Sequence, residues 1–192
     1  MSPATIFQIH LILGYVPWLL GIGAYVWPRL KTMNRIEAQR AIATLHSFRF
    51  FGLVFIIPGV VGPNLPSGFA VFAAYGDFTT GLLAMLALLT VPIRSVFWIF
   101  VIAFNLAGTV DIIIDYYHGS QFGLPTLAGE LGAAYAIPIV YVPLLMISTS
   151  PHSICWHVVR PKRSAPSLAV RLLSGGWRAD PMGATAATVP GP

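Results

Sequence analysis

The chain has 192 residues, of which 56% are hydrophobic and 9% are charged, and its formal net charge is +5. Soluble domains carry roughly a quarter of their residues as Asp, Glu, Lys and Arg. This composition, with a mean hydropathy of +0.77, is therefore typical of a polytopic membrane protein. It excludes a disordered chain and, with Cys155 as the single cysteine, a disulfide scaffold. Nucleic-acid-binding domains present a basic surface, which this chain lacks outside two short segments. No nucleic-acid partner is therefore predicted.

Five apolar stretches approach the roughly 20 residues that a helix needs to cross about 30 Å of hydrocarbon. They cover approximately residues 6–27, 45–61, 69–91, 95–117 and 127–148. We predict an all-α integral membrane bundle of five transmembrane helices within residues 1–148, with the lipid bilayer as its main partner. The remaining residues, 149–192, are predicted to form a cytoplasmic tail. That tail is expected to be largely disordered from about residue 178, because it becomes rich in Pro and Ala.

The placement of the basic residues predicts the orientation of these crossings. With five crossings, ten of the eleven Lys and Arg residues lie on one side of the membrane: Arg29, Lys31, Arg35, Arg40, Arg94, Arg160, Lys162, Arg163, Arg171 and Arg178. Basic residues near short loops are retained in the cytoplasm. The pattern therefore predicts that the N-terminus is outside and the C-terminus is inside the cell.

Few polar side chains fall within the predicted spans, and such residues are functional candidates because burying a charge in lipid is costly. Most fall in the outer half of their segments, and Asn105 lies deeper. We expect the following ligand- or ion-binding candidates: Asp77, Asp111, His10, Asn105, Asp115 and Glu130. If they share one outward cavity, they would bind a proton, a cation or a cationic small molecule. In the alternative interpretation Asp115 and Glu130 are solvated at the headgroups, Asp77 caps a helix, and Asp111 bonds a neighbouring Tyr or Asn.

A second polar pair lies at the predicted inner face. His46 and Arg49 are three residues apart and so share one face of a helix. Arg and His together could bind an anion or a lipid headgroup phosphate. The alternative is that Arg49 extends its charged end to the headgroups, as long basic side chains do near the ends of spans.

Cofactor motifs are sparse. No cofactor and no metal is predicted, and the chain lacks a phosphate-binding loop, a dinucleotide fingerprint and paired cysteines. Haem remains an alternative, because His10 with His118, or His46 with His152 or His157, could lie at similar depths. A transition metal is a second alternative, with nitrogen and oxygen ligands from His10, Asp77, Asp111 and His118. The interpretation leans away from an enzyme. The function alternatives are proton- or cation-coupled transport of a small ligand, an intramembrane enzyme or redox protein acting on lipid or quinone, and an accessory subunit of a larger complex. A homo-oligomer is equally compatible.

Several stretches resemble uncharacterised small multi-pass membrane proteins of bacteria. The resemblance rests on Leu45–Val61, Ala74–Phe78, Phe104–Asp111 and Gly132–Pro138, and it covers about residues 5 to 148. It implies a location in the bacterial inner membrane. It implies no activity and no catalytic residue, because no activity is established for those proteins.

Overall fold

The computed structural model describes residues 1–149, and within this part of the chain every regular element is helical. The α-helices are α1 (Pro3–Gly21), α2 (Trp27–Thr32), α3 (Arg35–Ser47), α4 (Ser67–Leu89), α5 (Arg94–Gln121) and α6 (Val142–Ser148). Two 3₁₀ segments, Phe48–Ile56 and Ala128–Tyr135, and two π segments, Ile22–Val26 and Ile137–Tyr141, lie between them. The predicted all-α class is confirmed for these residues. Apart from Thr149, the predicted tail lies outside them.

The first helical rod extends from Pro3 to Thr32 and consists of α1, a π segment and α2. Ser2 caps its N-terminus by accepting a hydrogen bond from the Thr5 amide. The π segment ends two residues before Pro28, and the second π segment likewise ends two residues before Pro143. A proline cannot donate to the carbonyl four residues earlier and its ring crowds that carbonyl, so a locally widened turn accommodates it.

The second predicted span differs most from the structure. α3 begins with a capping box between Asn34 and Glu37 and ends at Ser47, after which the chain continues as the 3₁₀ segment Phe48–Ile56. Residues 45–61 therefore do not form one transmembrane α-helix. The 3₁₀ segment packs so closely on α4 that a Cβ atom at Gly81 would lie 3.0 Å from the Phe50 nitrogen. Tertiary packing has overridden the helix expected from composition.

Helices α4 and α5 form an antiparallel hairpin at the centre of the fold. Gly76 faces Asp111, and Thr80, one turn later in α4, faces Gly108, about one turn earlier in α5. One core cluster between α3, α4 and α5 contains Ile42, Ala43, Ala84, Ala87, Phe97, Val101 and Phe104. The helix α5 continues to Gln121. His118 therefore lies within a helix, whereas the sequence suggested that it lies in a connection.

The fifth predicted span, residues 127–148, is broken. Gly132 has φ 52° and ψ −129°, and the two helical parts are bent by 73°. The turn at residues 60–62 pairs with this break: Gly62 N donates to Glu130 O at 2.7 Å, and Ala133 N donates to Val60 O at 3.3 Å. Non-helical backbone at membrane depth is stable only where protein or water satisfies it. These two hydrogen bonds serve that purpose.

By length and composition, three helices of the described residues could cross a membrane: Pro3–Thr32, Ser67–Leu89 and Arg94–Gln121. The bent pair of Ala128–Tyr135 and Ile137–Ser148 would provide a fourth crossing.

Contacts between α1 and the last helical part show in which direction the two run relative to each other. His10 and Gly14 in α1 lie beside Tyr135 and Ile139, respectively, so α1 and the last helical part run in parallel.

Candidate functional site

A buried ion cluster occupies the centre of the described fold. The Arg49 guanidinium donates through Nε to Asp77 Oδ1 at 2.6 Å and through Nη2 to Asp111 Oδ2 at 2.5 Å. Its Nη1 donates to the Gly108 carbonyl at 3.2 Å. Arg49 is 1% exposed, and the two carboxylates belong to residues that are 4% and 6% exposed. The 3₁₀ segment, α4 and α5 are therefore joined by a single side chain.

Burial explains why Arg49 has two acidic partners. A charge removed from water must be paired and hydrogen-bonded, or it costs several kcal/mol. The planar guanidinium offers donors in several fixed directions, and here all three of its nitrogens have partners. This arrangement corrects the separation into an inner Arg49 and an outer acidic layer. It also shows that Arg49 does not extend to the headgroups.

Three glycines make room for this cluster, and none could carry a side chain without displacing it. A Cβ atom at Gly52 would overlap Asp77, and one at Gly76 would overlap the Asp111 carboxylate. A Cβ atom at Gly108 would lie 2.6 Å from Arg49 Nη1. The close helix contacts that these glycines allow are what bring the charges together.

Asp115 extends the cluster toward a cavity of about 210 Å³. It lies one turn beyond Asp111 on α5, within electrostatic reach of Asp111, Asp77 and Arg49. Its Oδ1 atom is buried and has no hydrogen-bond partner among the described residues. Asp77 and Asp115 both line the cavity, whose other walls are largely apolar and include Phe7, Leu11, Phe55, Phe69, Leu124 and Ile137.

The other predicted ligand-binding residues, His10, Asn105 and Glu130, do not line this cavity. His10 Nδ1 is 2.9 Å from the Tyr135 hydroxyl on an exposed surface. Glu130 accepts from the Asn64 backbone and side-chain nitrogens at 3.1 and 3.2 Å, so it stabilises a turn. Asn105 is buried and donates to Val101 O within its own helix. The proposed helix cap at Asp77 is wrong as well, because Asp77 lies in the middle of α4.

His46 is fully buried, which contradicts an exposed anion or headgroup site at His46 and Arg49. Its Nε2 lies 2.9 Å from Ser148 Oγ, and its ring packs 5.4 Å from the ring of Phe104. Both members of the pair therefore face the interior of the bundle. They bind protein groups, and neither presents donors to a lipid phosphate.

The described residues contain no group of three or more His, Cys, Asp or Glu side chains that could hold a metal ion. His118 packs edge-on against Phe72 at 4.9 Å, and the Nδ1 atom of His10 is committed to Tyr135. His152 and His157, the other haem ligands considered, lie outside the described residues, as does Cys155.

The family described as Domain of unknown function (DUF8737) matches residues 6–152, most of the chain. The chain belongs to this family. No curated protein and no solved structure matches it. The match has nearly the same extent as the sequence resemblance, so the buried ion cluster and the cavity both lie within the DUF8737 domain.

Sequence reasoning identified the charged members of the DUF8737 site but missed their pairing. One signal was available, since a lone Arg49 within an apolar segment requires an acidic partner, and few acids lie in the spans. The buried side chains of Gln39 and Thr80 were missed entirely. Both are uncharged and occur beside ordinary helix residues, so nothing in the sequence distinguished them.

Proposed function

We propose that this protein is a five-crossing inner-membrane protein that binds a small, mainly apolar cation in the cavity lined by Asp77 and Asp115. One observation carries the proposal: two carboxylates border a largely apolar cavity, while the nearby guanidinium is committed to Asp77 and Asp111. Binding sites for small molecules typically combine apolar walls with a few polar groups. Proton- or cation-coupled movement of the ligand is the extension of this proposal that we favour.

The number of crossings is supported by the directions of the helical parts. Gly52 lies against Asp77 and Gly81 against Phe50, so the 3₁₀ segment is antiparallel to α4. Helix α4 is antiparallel to α5, and α1 is parallel to the last helical part, as alternating crossings require. A 3₁₀ helix rises about 2.0 Å per residue, so the nine residues of Phe48–Ile56 extend about 18 Å. Together with the end of α3 and residues 57–61, they can complete a crossing.

The orientation is supported by charge. The connection around α2 and α3 carries four basic residues, and Arg94 begins α5, whereas the turns at residues 57–66 and 122–127 carry none. Cytoplasmic loops retain such basic residues. We place the N-terminus outside and the C-terminus inside the cell, and we place the cavity toward the outer half.

Charge balance favours a cationic ligand. Three carboxylates, Asp77, Asp111 and Asp115, surround one guanidinium, so the ionised cluster would carry two excess negative charges. Protons or a bound cation must compensate most of that charge in a low-dielectric interior. An ammonium group beside Asp115 would provide compensation, and the aromatic wall of Phe7 and Phe55 would contact an apolar body. A volume of about 210 Å³ suits a small molecule.

Benzylamine binding to the purified full-length protein tests this proposal, with benzyl alcohol as the uncharged analogue of the same shape. We expect benzylamine to bind at least tenfold more tightly, and Asp115→Asn to abolish that preference. Glu37→Gln is the matched control, because it removes a carboxylate at the start of α3, away from the cavity. Equal affinities for the two probes, or an unchanged preference in Asp115→Asn, would contradict the proposal.

An accessory role in a larger complex is the second candidate, and one observation favours it. The apolar window of the helix Pro3–Thr32 is 0% buried within the chain, so nearly all of this surface can face lipid or another subunit. An accessory subunit would co-purify with a defined partner and would retain its activity in the complex after Asp115→Asn. A transporter or binding protein would not tolerate that substitution.

A further inference from the structure

Four uncharged polar side chains are buried on the α3 side of the ion cluster. Gln39, His46, Thr80 and Asn105 are each at most 3% exposed. Within residues 1–149, both amide atoms of Gln39, His46 Nδ1, Thr80 Oγ1 and Asn105 Oδ1 have no hydrogen-bond partner. Leaving such an atom unpaired in a dry interior destabilises the fold. Native proteins normally satisfy buried polar atoms with protein groups or ordered water, so four side chains with atoms that lack a protein partner point to internal water.

These side chains all belong to the buried faces of α3, α4 and α5. Gln39 and His46 are two turns apart on the buried face of α3, about 10 Å along its axis. The His46 ring contacts Phe104, the residue before Asn105. One turn beyond Asn105, Gly108 lies against both Thr80 and Arg49. The four polar side chains therefore occur along the interface of α3, α4 and α5, from Gln39 to the residues beside the guanidinium of Arg49, and we call this set the polar column.

The column continues through the ion cluster to the cavity. Arg49 contacts Asp77 and Asp111, and Asp115 lies one turn beyond Asp111. At the opposite end, Gln39 is followed by the exposed Arg40 of the basic connection. We infer that this polar column, from Gln39 to Asp115, holds a file of water molecules and carries protons between the α3 face and the cavity. The inference rests on the proposed function, to which it adds a proton route.

His46 is the residue in the column best suited to relay a proton. A neutral imidazole has one accepting and one donating nitrogen, so it takes up a proton on one and releases another from the second. The charged group near His46 is Arg49 from the 3₁₀ segment, which in turn binds Asp77 from α4 and Asp111 from α5, and α6 contributes the neutral Ser148 hydroxyl. Arg49 remains charged and holds the carboxylates in place, and the proton passes to Asp111 or Asp77 and then to Asp115. Each transfer moves one proton, and no other bond changes.

Proton flux into liposomes containing the full-length protein tests the inference. A potassium diffusion potential set by valinomycin drives protons inward, and trapped pyranine reports the initial rate of acidification. We expect a rate well above that of protein-free liposomes and at least a tenfold reduction in His46→Phe. Asn105→Leu should also reduce the rate. His10→Phe is the matched control, because His10 lies outside both the column and the cavity, and this variant should retain the wild-type rate.

His46→Gln provides a second variant that remains polar if phenylalanine disturbs the fold, and circular dichroism and gel filtration identify the folded proteins. A wild-type rate equal to that of empty liposomes would overturn the inference. So would a wild-type rate in folded His46→Gln. If wild-type protein prefers benzylamine but carries no proton flux, the proton route is rejected and the proposed cation binding is not. If the preference for benzylamine is absent but a His46-dependent flux is present, the proposed cation binding is rejected and the proton route is not.

Discussion

Arg49 Nη2 donates to Asp111 Oδ2 at 2.5 Å, which connects the start of the 3₁₀ segment to the middle of α5. The two residues are far apart in sequence and both are buried, so this contact cannot form until α4 and α5 have packed against the 3₁₀ segment. The pairing sets the register of three helical elements at once. Among residues 1–149 it also leaves the third carboxylate, Asp115, without a cation of its own, and this imbalance underlies both proposals.

Replacing Arg49 by Met should strongly destabilise the protein. The substitution leaves Asp77 and Asp111 buried without their cation, and breaking a buried ion pair from one side costs about 3–5 kcal/mol. The free energy of unfolding in mixed micelles, measured by circular dichroism during SDS titration, would show this loss. The triple variant Arg49→Met, Asp77→Asn, Asp111→Asn should recover much of it, because no uncompensated charge remains.

Arg40→Met is the control for this prediction. Arg40 is exposed on α3, and surface substitutions of this kind change stability by about 0.5 kcal/mol or less. If Arg49→Met were as stable as Arg40→Met, the ion cluster would not stabilise the fold. A triple variant no more stable than Arg49→Met alone would show that the cost arises from packing and not from charge.

Gly108→Ala should destabilise the contact between α4 and α5. Its Cβ atom would lie 2.6 Å from Arg49 Nη1 and 2.9 Å from Thr80 Cγ2, so the helices or the guanidinium must move. Overpacking of this kind costs about 1–3 kcal/mol. The matched control is Gly21→Ala, since no atom lies within 4 Å of the added Cβ there.

In the control, alanine replaces glycine in a helix, and it should be neutral or stabilise the protein by up to about 1 kcal/mol. Thermal unfolding of both variants in the same detergent would separate the two effects. A loss of stability in Gly21→Ala equal to that in Gly108→Ala would indicate a general intolerance of alanine. The contact of the added Cβ atom with Arg49 and Thr80 would then not account for the loss of stability in Gly108→Ala.

The sequence predicted the helical class and the extent of three long helices, because composition and length dominate those features. It also selected Arg49, Asp77 and Asp111 as unusual residues. It failed on the 3₁₀ segment after Ser47 and on the break at Gly132, which depend on contacts with α4 and with the turn at residues 60–62. The position of each residue along its own helix suggested that Arg49 and the acidic residues lie at different depths. Only the packing of the helices shows that Arg49 contacts Asp77 and Asp111.

Cysteine labelling should locate the connections on opposite sides of the membrane. In a Cys155→Ser background no other thiol remains, because Cys155 is the single cysteine. Ser67→Cys and Gln121→Cys should react with a membrane-impermeant maleimide added to intact cells. Thr32→Cys and Ser95→Cys should react only after lysis. All four original residues are exposed at the ends of helices, so differences in burial do not confound the comparison.

Labelling of Thr32→Cys and Ser95→Cys in intact cells, with Ser67→Cys and Gln121→Cys reacting only after lysis, would contradict the predicted orientation. Reaction of Thr32→Cys and Ser67→Cys from the same side, with Ser95→Cys opposite, would mean that residues 45–61 do not complete a crossing. The five-span prediction would then fall to four, and the carboxylates would no longer lie in the outer half.

The helix α1 should be held in place largely by a few polar contacts. The Tyr15 and Tyr116 hydroxyls are 2.8 Å apart, and Trp18 Nε1 donates to Val140 O at 2.7 Å. Because most of the apolar surface of α1 is exposed, these bonds contribute specificity that packing alone does not provide. Tyr15→Phe and Tyr116→Phe should each cost about 1 kcal/mol, and the double variant should cost little more than either.

Tyr25→Phe is the control for α1, since Tyr25 is 74% exposed and should contribute almost nothing. Phe7 and Leu11 of α1 line the cavity, so weakening the attachment of α1 should also speed release of a bound molecule. Stopped-flow displacement of benzylamine should therefore give a faster dissociation rate in Tyr15→Phe than in Tyr25→Phe. Equal dissociation rates, despite the expected loss of stability in Tyr15→Phe, would mean that ligands leave by a route that α1 does not close.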